Sequence, residues 1–177
     1  MALTTFQGPV RSLNGFYAQG PGSVVNVANG TNTLSLTVAA HAGKVIRTND
    51  ATLILTLPAI IATADPVTSG PGSDPNTLNN VGTTYTIVID TAATAVAIKT
   101  NGTDKFIGSL LVVDTDSSGA LTGFAPAAAN DVINLDGTTT GGAAGSVITI
   151  TALSSLEYLV QGVLLGSGTI ATPFADA

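Results

Sequence analysis

The chain has 177 residues, enough for one domain that buries roughly two-thirds of the surface its unfolded form exposes. Only 9% of the residues are charged, the net charge is −6, and the five Lys and Arg are scattered singly, so no basic patch is available to neutralise nucleic-acid phosphates. No apolar run reaches the roughly 18–20 residues of a membrane helix, and the absence of cysteine excludes disulfides and thiolate metal sites.

The first 22 residues read as an extended N-terminal arm. "FQGPVRSLNGFYAQGPG" holds three of the eight aromatics, Phe6, Phe16 and Tyr17, between Gly-Pro, Asn-Gly and Gly-Pro-Gly breaks. Proline lacks a donor and glycine is conformationally loose, so neither a helix nor an unbroken strand is expected here. The opening "MALTTFQGPVRS" has neither the basic start nor the apolar centre of a secretory signal, and a chain made in a cytoplasm is expected.

Residues 23–177 read as a single β-domain. Strands are expected at 23–27, 34–40, 44–48 and 52–57, where "LSLTVAA" and "TLILTL" alternate apolar residues with small polar ones or alanine. Residues 58–82 hold four prolines and no periodic run, and read as a long loop between strands. Further strands are expected at 84–90, 95–100, 106–114, 131–136, 146–151 and 157–163, separated by Asn101-Gly102, Ser118-Gly119, Asp136-Gly137 and Gly141-Gly142 turns. "APAAAN" (125–130) reads as a shorter crossover. Valine, isoleucine and threonine suit strands better than helices. The fold class is all-β: a compact β-sandwich or small barrel, with a jelly roll left open. No internal repeat stands out.

Chemistry is poorly provided for. Any Ser-His-Asp triad must use His41, the one histidine, and no serine sits in a nucleophile elbow. His41 and Gly43 are expected to shape a turn, with the imidazole bonded to backbone. Asp114-Thr115-Asp116-Ser117-Ser118-Gly119 copies the first half of a calcium loop, but Ala125 stands where the bidentate glutamate belongs. It reads as a turn. The Asn-Gly-Thr stretches at 29–31 and 101–103 match the glycosylation pattern but, with no secretory signal in view, read as turns. The expectation is no enzyme, no metal and no cofactor. With few surface charges to keep it apart, the chain is expected to be covered by partners.

"SLTVAAHAGKVIRTNDATLILTLPA" resembles a segment of the capsid decoration, or cement, proteins of tailed bacteriophages. There a strand runs into His-x-Gly-[Lys/Arg], an apolar strand, an Asn/Asp-rich turn and a strand closing on Leu-Pro. The matching positions are His41, Gly43, Lys44, Val45, Ile46, Asn49, Asp50, Leu57 and Pro58. "AIKTNGTDKFIGSLLV", with Asp104, Ile107 and Gly108, is similar to a later strand pair, and "INLDGTTTGGAAGSVITIT", "TPFADA" and "GPVRSLNGF" resemble other parts. The chain departs from the family in its long 58–82 loop and in having no Trp near the last strand, where Tyr158 is the nearest aromatic.

The resemblance implies a structural protein of the virion that binds the major capsid protein on the outer shell surface as a homotrimer, assembled in the host cytoplasm. It implies no nucleic-acid or membrane partner. The arm would dock by strand addition, with Phe6, Phe16 and Tyr17 filling pockets and Pro9, Arg11, Leu13 and Asn14 lying along the contact. The competing reading is a receptor-binding or adhesin-type β-domain of a tail fibre or cell surface.

Overall fold

A computed structural model describes residues 24–62, 80–116 and 120–177. They form two mixed sheets packed face to face, and the described residues are all-β apart from one short helix. The expected arm, 1–22, and most of the long loop lie outside the described residues.

The first half of the chain crosses from one sheet to the other with every strand. β1 (Val24–Val27), β3 (Val45–Thr48) and β5 (Thr84–Ile89) lie side by side and parallel in the larger sheet. β2 (Thr33–Ser35), β4 (Ile54–Thr56) and β6 (Val96–Lys99) do the same in the smaller. The register is regular: Val24 pairs with Val45 and Thr33 with Ile54, a spacing of 21 residues in both sheets. These are stacked coils, each burying its apolar side chains against the coil beside it. Val27, Thr48 and Ile89 occupy one level of the stack, and Leu34, Leu55 and Ile98 another. No repeat shows in the sequence because only this alternation recurs, carried by different residues in each coil. Between the second and third coils the spacing grows to 41 residues, from Val45 to Thr86, because the long loop is inserted there.

The second half closes the sandwich with antiparallel pairs. β10 (Val147–Ala152) pairs with β5 and with β11 (Glu157–Gly166). β7 (Lys105–Asp114) runs parallel to β11 over ten residue pairs, and β8 (Leu121–Phe124) turns back on β7. β9 (Val132–Leu135) joins β6, and β12 (Phe174–Ala175) ends that sheet. The orders are β1-β3-β5-β10-β11-β7-β8 and β12-β9-β6-β4-β2. This mixed sandwich differs from a jelly roll, whose strands pair antiparallel.

One core fills the space between the sheets, with Tyr85, Tyr158, Phe106, Ile87 and Ile133 fully buried. Period-two alternation accounts for it: in β5 every second residue (Tyr85, Ile87, Ile89) is buried, and in β10 Ile148, Ile150 and Ala152 are.

Several elements differ from expectation. The strand expected at 34–40 stops at Ser35, and Val38–His41 forms one helical turn, α1. Thr37 caps it: its hydroxyl accepts from the Ala40 amide at 3.2 Å, a local bond that competes with strand pairing. The short β8 and β12 were not expected. β8 offers only Leu-Thr-Gly-Phe, and its pairing depends on β7 lying alongside.

Candidate interaction surface

Each expected contact residue, Phe6, Pro9, Arg11, Leu13, Asn14, Phe16 and Tyr17, falls in residues 1–23, outside the described part of the chain. The described structure fixes where that segment enters. Residue 23 precedes β1, one edge strand of the larger sheet (β8 is the other), while β2 and β12 are the edges of the smaller. β1 and β2 both belong to the first coil, so one end of the stack is open among the described residues. Backbone groups at such an edge are ready to pair with an added strand.

The residues singled out for chemistry are occupied with holding turns. The His41 ring nitrogen Nδ1 accepts the Thr37 amide hydrogen at 2.9 Å across α1, the backbone bond expected of it. Asp114 accepts from the Asp116 amide at 3.2 Å, and Asp116 from the Gly168 amide at 3.0 Å. Among the described residues no group of three or more His, Cys, Asp or Glu is placed to hold a metal. Asn101 Oδ1 accepts from the amides of Thr103 and Asp104, which makes this Asn-Gly-Thr stretch a turn, as expected.

Two aspartates are tuned by their surroundings. Burial would raise the Asp136 carboxyl, but bonds from the Thr139 hydroxyl and the Thr140 and Thr138 amides outweigh it and bring the pKa down to about 2. Asp50 sits at a corner of the coil stack and is held below the usual carboxylate range by the amides of Asn32 and Thr52. Both stay ionised to fix backbone. The ion pairs Arg47–Asp90 at 2.8 Å and Lys105–Asp131 at 3.2 Å join neighbouring segments.

The root of the long loop is the best-built polar cluster. The Tyr158 hydroxyl donates to the Pro58 carbonyl at 2.6 Å, and Asp104 Oδ2 accepts from the Ile60 amide at 2.9 Å. Asn80 ties the two ends of the loop together: its Oδ1 accepts from Ile61 and its amide donates to the Ala59 carbonyl. Beside this cluster Tyr85 is fully buried, and among the described residues its hydroxyl has no well-formed hydrogen-bond partner, the Thr83 hydroxyl standing nearby. Burial and the nearby Tyr85 and Asp104 push the Tyr158 hydroxyl well above the usual phenol range. Sequence reading singled out Tyr158 only as an aromatic standing near a family Trp. Asn80 carried no signal, because its function depends on two loop ends meeting in space.

A cleft of about 400 Å³ lies where β7 runs on past the end of β8, lined by Phe106, Ile107, Gly108, Pro126 and Leu156. Its two charged side chains are already engaged: Lys105 with Asp131, and Glu157 with the Ser154 hydroxyl. The cleft offers shape and apolar surface but no convergent catalytic groups.

No protein family, curated protein or solved structure matches the chain. The functional reading therefore rests on these residues. Among the described residues His41, Asp50, Asp114 and Asp136 hold turns, Arg47 and Lys105 are in ion pairs, and the open features are a sheet edge, an apolar cleft and a clamped loop root.

Proposed function

We propose that the chain is a structural decoration, or cement, protein of a tailed-bacteriophage head. In this reading it binds the major capsid protein on the outer surface of the shell, as a homotrimer, and stabilises the shell without catalysing a reaction. Residues 1–22 are the attaching arm, with Phe6, Phe16 and Tyr17 as anchors and Pro9, Arg11, Leu13 and Asn14 along the contact.

The observation that carries this reading is that, among the described residues, one end of the coil stack is open. The aromatic segment enters the domain at an edge strand, where backbone pairing with a partner is available on both β1 and β2. Each docked aromatic would bury about 150–200 Å², several kcal/mol by area before ordering costs are subtracted. Several copies acting together raise that attachment through effective concentration.

Immunogold electron microscopy of phage particles, with antibody against the purified chain, tests the placement. Gold spread evenly over heads is expected; gold confined to tail tips would shift the weight to receptor binding. Deleting residues 1–22 is expected to leave the melting temperature of the β-domain nearly unchanged while abolishing co-sedimentation with heads. Full binding by the truncated chain would remove the arm from the contact.

A further inference from the structure

We propose that the outer face of the larger sheet, across β5, β10, β11 and β7, packs against the same face of a second copy of this chain. One row across the sheet is apolar: Val88, Val147, Val163 and Leu111 are register partners in turn. Leu165, Val113 and Leu121 extend it at one end. The exposures are high for apolar side chains in register, 37% for Val147, 44% for Val163, 38% for Leu111 and 59% for Leu121. Scattered apolar residues are ordinary on a surface, but a contiguous row marks a contact.

The next row is Thr86, Thr149, Gln161 and Ser109. Beyond it lie Thr84, Thr151, Leu159 and Ile107. None of these side chains is charged. Arg47 stands at one margin, paired with Asp90, and Lys105 and Glu157 stand at another.

That composition selects the partner. Hydroxyls and carboxamides both donate and accept, so a surface made of them and of apolar groups complements itself. A charged partner would find no counter-charge here and would lose its own hydration. A second copy brings an equally uncharged face, and among the described residues Asp50, Asp90, Asp104, Asp114, Asp131 and Asp136 lie at strand ends and turns. The face is roughly 15 by 20 Å from strand and residue spacings. Carried out to its margins on β3 and β8 the face is six strands wide and roughly 30 by 20 Å, so pairing covers on the order of 600 Å² per copy, the low end of a stable dimer. Sheet faces stack about 10 Å apart in this way.

The pairing is a property of the free chain, whereas the homotrimer of the decoration reading assembles on the shell, so the pairing does not depend on that reading. It is read in solution without heads, so either idea can fail while the other stands. Sedimentation velocity of the full chain at micromolar concentration is expected to show a dimer that persists in high salt, because no ion pair holds it. Val163→Lys, on the exposed row, is expected to sediment as a monomer with an unchanged circular dichroism spectrum.

Since the chain lacks cysteine, single-cysteine variants map the contact independently of that substitution. Gln161→Cys is expected to be joined into dimers by a short bismaleimide, and Asn134→Cys, on the outer face of the smaller sheet, to remain uncrosslinked. A monomeric wild type, a folded Val163→Lys dimer, or crosslinking at Asn134 and not at Gln161 would each overturn the proposal.

Discussion

The two buried tyrosines make opposite uses of the same hydroxyl. Tyr158 donates to Pro58, while Tyr85 is buried with no well-formed partner for its hydroxyl among the described residues. Tyr158→Phe leaves a carbonyl without its donor and is expected to cost about 1–2 kcal/mol, whereas Tyr85→Phe removes an unsatisfied group and should be neutral or stabilising by up to ~1 kcal/mol. Urea denaturation of the two variants checks this directly. Burial raises both phenols above their ordinary value of 10, so the folded chain keeps them protonated where the unfolded chain would ionise. Stability is therefore expected to be intact below pH 10 and to fall above it, with both tyrosines ionising only on unfolding in an absorbance titration. At the acid end the sign reverses. Asp136 lies at about 2 in the folded chain against 3.8 for the free carboxyl, so its contribution is present above pH 3.8 and lost as the pH falls towards 2. Asp136→Asn is expected to lower stability at neutral pH by on the order of 1–2 kcal/mol and to flatten the acid limb of the melting curve.

At the scale of elements, the coil stack explains why a long loop is tolerated. The insertion leaves and re-enters at one place, where the Asn80 amide donates to the Ile61 carbonyl at 2.9 Å and its side chain bridges Ala59 and Ile61. Loop closure costs little per added residue, so length is cheap once the ends are fixed. Replacing residues 63–79 by a short Gly-Ser link is expected to leave the melting temperature within a few degrees of wild type. Asn80→Ala, which loosens the ends, is expected to lower it by roughly 2–4 °C per kcal/mol lost. The Asp136-Gly137 turn is a tight corner. Gly137 has φ 78°, and a methyl group there would overlap the Ala93 carbonyl oxygen. Gly137→Ala is expected to destabilise by more than about 2 kcal/mol, read by thermal melting.

At the scale of the whole molecule, the chain switches sheets with each of its early strands, so its parallel neighbours are far apart in sequence. β7 and β11 pair Lys105 with Glu157 over ten positions, and neither strand is complete without the other. Non-local pairing of this kind folds slowly, and stopped-flow refolding is expected on the millisecond-to-second scale of all-β domains. The same topology leaves a coil end at β1 and β2 and a broad uncharged face on β5, β10, β11 and β7. These are separate surfaces, one suited to strand addition and the other to face packing.

The sequence by itself determined the all-β class, most strand positions and the buried side of each strand, because period-two alternation is local and burial follows it. It also determined that His41 bonds to backbone and that Asp136-Gly137 turns the chain, since both depend on neighbours within a few residues. Only the tertiary structure decided that the strands stack as coils with parallel neighbours and that Thr37 ends β2 in a helical turn. It alone decided that Tyr158, Asn80 and Asp104 meet at the root of one loop. Pairing partners lie dozens of residues apart, and one strand's alternation suits a parallel or an antiparallel neighbour equally. That choice is made when the two sheets close over a shared core.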